Sequence, residues 1–123
     1  MGQRDAFILV IEDDEAFRRV VVTILERGGF KVIAVRDFAA AIAIVESDQR
    51  IDLLLTDVGM PAGTPHGLSI AQMAKTRRPR LKVLYMSGSY DAGQIGAMVD
   101  GALFLSKPFR PERLIQSVET ALA

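Results

Sequence analysis

Glu12-Asp13-Asp14, Asp57 and Lys107-Pro108 lie far apart in the chain, and each follows a short apolar run. The runs are Phe7 to Ile11, Ile51 to Leu55 and Leu103 to Leu105. Short apolar runs bounded by polar or turn residues read as strands buried on both faces, as in a parallel sheet. In an open α/β sheet, ligands bind beyond the carboxyl ends of the strands. The acids, Asp57 and Lys107 are therefore expected to converge. Several carboxylates and one amine at one spot suit a divalent cation and a phosphoryl group.

Like charges explain why a cation is expected. Two carboxylates about 4 Å apart repel by on the order of 4 kcal/mol at an effective dielectric near 20. Either one keeps a proton or a cation sits among them. Hard oxygen donors without histidine or cysteine suit Mg²⁺. The plainer reading is a helix N-terminus dressed with acids, with Asp14 as the cap of the first helix. Asp57 ends an apolar strand and opens an irregular loop, where a carboxylate can act as a nucleophile and form an acyl phosphate. Its plainer reading is a turn or cap residue. Lys107 precedes a proline, which keeps it extended, so its amine can reach back over the sheet. The alternative is a solvated lysine before a turn. Ser87 closes the fourth strand, where a hydroxyl can meet a phosphoryl oxygen or simply serve a turn.

Short apolar runs alternate with amphipathic stretches, the signature of βα units around a parallel sheet. Strands are predicted over Ala6–Ile11, Lys31–Val35, Ile51–Thr56, Leu81–Met86 and Leu103–Leu105. Helices are predicted over Glu15–Arg27, from an N-cap at Asp37 to Ser47, over Leu68–Thr76, over Asp91–Val99, and from Pro111 to the C-terminus. Gly28-Gly29 stops the first helix, and Pro111 suits the first turn of the last. Gly93 and Gly96 disfavour the helix over 91–99. Five βα units predict an α/β, flavodoxin-like, doubly wound sheet of five parallel strands in the order 2-1-3-4-5, with five helices.

Bulk properties narrow the function class. The chain has 123 residues, which fits one domain spanning 1–123. Half of them are hydrophobic, and 15 basic side chains balance 15 acidic ones. That balance does not favour a general nucleic-acid or membrane binder. No cysteine is present, so disulfides and thiolate metal sites are excluded. The single histidine, His66, cannot build a histidine-rich metal site. No apolar stretch approaches the roughly 20 residues of a membrane span, and Gln3-Arg4-Asp5 is not a signal-peptide pattern, so a cytoplasmic protein is expected. The basic run Lys75, Arg77, Arg78, Arg80 and Lys82 reads as a solvated helix end and loop, since cations suit helix C-termini.

The motifs together resemble the receiver domain of two-component response regulators, the CheY-like fold. The matching pieces are Ile8-Leu9-Val10-Ile11-Glu12-Asp13-Asp14-Glu15, Asp57-Val58-Gly59-Met60-Pro61, Gly67-Leu68, Met86-Ser87-Gly88 and Lys107-Pro108-Phe109. The resemblance covers essentially the whole chain. It implies that Asp57 accepts phosphate from a sensor histidine kinase or histidine phosphotransfer protein. It implies Mg²⁺ held by Asp13, Asp57 and the backbone carbonyl of Gly59, with Glu12 acting through a metal-bound water. Lys107 would contact the phosphoryl group, and Ser87 and Phe104 would be switch residues that present a surface to an output partner. No turnover enzyme is implied beyond self-catalysed transfer and loss of phosphate at Asp57.

The chain also departs from the family pattern. Three consecutive acids leave open which two form the acidic pair, although Ile11 closing the strand favours Glu12 and Asp13. The loop from Ala62 to His66 is about two residues longer than the common pattern. Gly59 offers no side chain at a position that tunes phosphate lifetime, Ser89 sits at the other such position, and Phe104 lacks the hydroxyl of the commoner tyrosine. Two other readings stand beside this one: a small flavodoxin-like ligand-binding protein, and a degenerate receiver used as a docking module. Carboxylates stand in the first strand-to-helix turn where a phosphate cradle wants glycines and amides, which weighs against the former.

Overall fold

The computed structural model describes residues 5–58, 67–88 and 101–123. Five parallel strands form one sheet in the order β2-β1-β3-β4-β5. They are β1 Phe7–Ile11, β2 Lys31–Val35, β3 Leu53–Asp57, β4 Lys82–Ser87 and β5 Leu103–Ser106. Among the described residues there are four helices: α1 Glu15–Arg27, α2 Phe38–Val45, α3 Gly67–Arg77 and α4 Pro111–Leu122. The order is the predicted one. The helix predicted over 91–99, the loop over 62–66, His66, Gly59 and Ser89 lie outside the described residues.

β3 is the central strand, and all five of its residues are buried. A strand covered on both faces needs no polar alternation, which is why its sequence is the continuous run Leu53-Leu54-Leu55. Each fully buried leucine contributes roughly 2 kcal/mol of transfer free energy. Successive side chains still alternate between faces. Leu9, Ile11 and Leu54 pack with Ala41, Val45, Ile70, Ala71 and Ala74 of α2 and α3. Ile8, Val10, Leu53 and Leu55 pack with Val21 and Leu25 of α1 and Leu114 and Val118 of α4. Among the described residues two helices therefore cover each face, and the sheet is doubly wound.

Local signals set the element ends. Asp14 caps α1 by accepting from Phe17 N at 3.1 Å, and Asp37 caps α2 by accepting from Ala40 N at 2.9 Å. Gly29 has φ 94°, the left-handed conformation that ends a helix and that glycine adopts without penalty. A Cβ on Gly28 would stand 2.6 Å from Ile115 Cδ1, so this glycine lets α1 and α4 approach closely.

Several boundaries differ from the sequence prediction by one or two residues. α2 ends at Val45, not Ser47, because the Ser47 hydroxyl turns back to the Ile44 carbonyl at 2.6 Å. β3 begins at Leu53, not Ile51. It also runs one residue further than predicted, so Asp57 itself ends the strand and pairs in register with Met86.

The basic run is not simply solvated, which corrects the expectation above. Arg78 is half-buried. Its guanidinium donates to the carbonyls of Ile44, Val45, Ser47 and Gln49 at 3.3, 3.1, 2.8 and 2.7 Å. Ile44 and Val45 belong to the last turn of α2, where a helix runs short of amide donors for its carbonyls, and Ser47 and Gln49 lie just beyond it. Lys75 Nζ donates to Leu81 O at 2.7 Å. Arg77 pairs with Glu46 at 2.7 Å in the open.

Candidate functional site

β1, β3, β4 and β5 all stop at the same edge of the sheet. Glu12 follows β1, Asp57 ends β3, Ser87 ends β4 and Lys107 follows β5. Backbone ladders hold these positions in place. Glu12 N donates to Val35 O at 3.1 Å, Val58 N to Met86 O at 2.8 Å and Lys107 N to Ser87 O at 2.8 Å. These side chains thus stand at the ends of paired strands rather than on free loops.

Lys107 joins the strands by its side chain. Its Nζ donates to Asp57 Oδ2 at 2.5 Å and to Glu12 Oε1 at 3.1 Å. Glu12 is 1% exposed and Asp57 6%. Carboxylate oxygens of Glu12, Asp13 and Asp57 all lie within 4.8 Å of one another, and Asp13 is exposed to solvent. Three hard oxygen donors with one open side fit a divalent cation such as Mg²⁺, which keeps several of its waters.

The ambiguity among the three acids resolves by geometry. Asp14 is engaged as the α1 cap. Its own amide donates to Glu12 Oε2 at 3.1 Å. Glu12 and Asp13, not Asp14, stand with Asp57.

Burial dominates the electrostatics of Glu12. Removal from water pushes its carboxyl up from 4.5 to about 7, the Asp57 carboxylate adds to that rise, and the Asp14 amide and Lys107 oppose it. Burial of Lys107 acts to lower its pKa. The hydrogen bonds and charges of Asp57 and Glu12 outweigh it, and the net direction is upward. Lys107 therefore stays an ammonium.

The other predicted residues fall as follows. Ser87 is buried at the end of β4, one residue beyond the Met86 that pairs with Asp57. Phe104 is half-buried on β5, in register with Tyr85, and packs on the cluster under α2 and α3. The Lys107–Pro108 peptide bond is cis.

Two neighbours went unnoticed in the sequence. The Phe17 ring lies under Lys107, with Nζ 4.2 Å from its centroid. It also meets Phe109 edge-on, with centroids 5.7 Å apart. Arg18 donates to the Glu12 carbonyl at 2.9 Å. The periodicity of α1 marks Phe17 only as a core-facing position, and no local signal ties it to Lys107.

Comparison with known proteins bears on the fold and the sequence as a whole. The family model of the response regulator receiver domain matches residues 8–119. The receiver protein CpdR of Brucella abortus is 33% identical over 118 residues, covering 94% of this chain and 95% of that one. The response regulator FleR of Pseudomonas aeruginosa is 34% identical over 116 residues, covering 92% of this chain and 24% of FleR. The chain thus spans about a quarter of FleR and nearly all of CpdR. A response regulator receiver protein from Sinorhizobium medicae superposes with a TM-score of 0.88 at 29% identity, over 96% of this chain and 94% of that one. Fold and sequence agree, and the chain belongs to the response regulator receiver domain family.

Proposed function

We propose that Asp57 is a phosphoacceptor, taking its phosphoryl group from a phosphohistidine on a sensor histidine kinase or a histidine phosphotransfer protein. One observation carries this reading. A nearly buried carboxylate ends the central strand, 2.5 Å from a lysine ammonium and beside Glu12 and Asp13.

An Asp57 carboxylate oxygen attacks phosphorus. An O–P bond forms as the P–N bond to the histidine ring breaks. The electron pair leaves with the ring nitrogen, which takes up a proton, and the product is an acyl phosphate. Such transfers depend on positioning and charge neutralisation more than on covalent assistance. Lys107 neutralises charge from one side. Asp13, Asp57 and the Gly59 carbonyl would hold Mg²⁺ directly, with Glu12 acting through a water. Bound there, the ion supplies positive charge to the phosphoryl oxygens.

Ser87 and Phe104 are the switch residues of this reading, and the phosphorylated state biases the surface around β5 and α4 toward an output partner. The relatives include the DNA-binding transcriptional regulator NtrC of Azospirillum brasilense, of which the chain spans 24%. Direct nucleic-acid contact is not part of the proposal for this chain. No helix among the described residues is long and apolar enough to cross a membrane, and a cytoplasmic location is proposed.

The test is mass spectrometry after incubation with acetyl phosphate and Mg²⁺. Wild type should gain one phosphoryl group, lost on chelation of the metal beforehand. Asp57→Asn should gain none. Equal labelling of Asp57→Asn would overturn the assignment.

A further inference from the structure

The ammonium of Lys107 has three N–H donors. One goes to Asp57 Oδ2 and one to Glu12 Oε1. Among the described residues no third acceptor meets it. The face of Phe17 lies against the ammonium, with its centroid 4.2 Å from Nζ. The ring also makes a T-shaped contact with Phe109, which sits two residues beyond Lys107. Phe17 belongs to the first turn of α1, where Asp14 caps its amide. α1 therefore carries the cap, the Phe17 ring, and Arg18 on the Glu12 carbonyl to the same place.

We propose that Phe17 is a positioning residue for phosphoryl transfer: its ring face confines the Lys107 ammonium over the Glu12–Asp57 pair and keeps the remaining donor in reserve. The proposal rests on the phosphoacceptor reading. The physical reason is a ranking of contacts. A charge-assisted hydrogen bond to a carboxylate is stronger than a cation–π contact at a partly exposed site. When a phosphoryl oxygen arrives at Asp57, the ammonium needs a donor for it. Leaving the ring is the cheaper route, because neither carboxylate bond must break. Water in place of the ring would hydrogen-bond that donor, and the lysine would have more positions open to it.

Phe17→Leu keeps apolar volume against Phe109 and removes the π face, whereas Phe17→Tyr keeps both. The first readout needs no phosphoryl group. The ring should displace the Lys107 Hε resonances upfield in wild type and Phe17→Tyr, and Phe17→Leu should return them to ordinary values. The second is the labelling rate with acetyl phosphate at saturating Mg²⁺. Phe17→Leu should slow it about fivefold, the size a contact of this kind supports. Phe17→Tyr should come within twofold of wild type, and Mg²⁺ affinity should change little in either.

Undisplaced Hε resonances in wild type would overturn the proposal. So would labelling of Phe17→Leu at the wild-type rate, or equal slowing of both variants, which would mark a packing role. If wild type takes no label, the phosphoacceptor reading fails instead, and the Hε resonances still decide whether the ring holds the lysine.

Discussion

Two half-buried cations, at opposite edges of the sheet, are used in opposite ways. Arg78 lies where the strands begin and spends its planar fork on four backbone carbonyls near the end of α2. Lys107 lies where they end and spends a point charge on two carboxylates. Carbonyl partners are neutral, so the Arg78 site is satisfied as it stands. Carboxylate partners repel one another, so the Lys107 site holds more negative charge than one ammonium cancels. The first region is finished by folding. The second stays receptive to added positive charge, as the proposed cation site requires. The choice of cation follows: a rigid fork suits fixed carbonyls, and a flexible ammonium suits partners that change.

The largest effect that would sharpen this contrast is the pH response of the metal-free protein. Glu12 is raised from 4.5 to about 7. A raised folded-state value favours the protonated form in the native protein. Its contribution is therefore full below about 4.5, declines between there and about 7, and is gone above. Unfolding free energy should fall across that window by on the order of 3 kcal/mol through Glu12, and Glu12→Gln should flatten the decline. Lys107 titrates above its ordinary 10.5 and adds nothing within the window. Urea titrations at a series of pH values in chelator measure this, and an equal decline in Glu12→Gln would break the comparison at its acidic end.

Arg78→Ala comes next, with an expected loss of about 2 kcal/mol, because it orphans several carbonyls at once in a half-exposed setting where water replaces only some. The urea midpoint should drop without a change in slope. Arg78→Lys should recover less than half, since an ammonium cannot span the four acceptors. Full recovery would show that charge, not the fork, matters there.

Lys107→Ala should change metal-free stability at pH 7 by less than about 1 kcal/mol, because Glu12 can keep a proton in place of the lost ammonium. The Glu12 carboxyl should titrate higher than in wild type, read from its side-chain carboxyl carbon by NMR, and Mg²⁺ should bind more tightly. A loss as large as that of Arg78→Ala would mean that both cations serve folding alike. The smallest effect is expected at Arg77, whose ion pair with Glu46 is 58% and 44% exposed. Arg77→Ala should cost less than about 0.5 kcal/mol by the same urea titration.

What the sequence revealed divides along the same line. The strand ends were legible, because a parallel strand buried on both faces leaves an unbroken apolar run and a polar residue marks its exit. That is why Glu12, Asp57, Ser87 and Lys107 could be placed at one edge before any coordinates. The caps at Asp14 and Asp37 were legible because capping is local. Arg78 was not. Its partners lie 29 to 34 residues away and are backbone carbonyls, which carry no side-chain signature. Phe17 was hidden for a related reason: an aromatic residue on the inner stripe of a helix looks like core whether or not a cation lies on its outer face. Asp14 was separable from Glu12 and Asp13 only once its bond to the Phe17 amide was seen.

The sheet order gives Lys107 one more role. β5 pairs with β4, and β1 pairs with β2 and β3, so β5 and β1 share no ladder. Yet one side chain following β5 clasps Glu12 after β1 and Asp57 at the end of β3. It acts as a staple across the sheet, perpendicular to the strands. Fraying of β5 must drag that staple off the central strand, so hydrogen exchange at the end of β5 and around Glu12 should rise and fall together. Whatever occupies the acidic edge thereby sets how tightly the last strand is held.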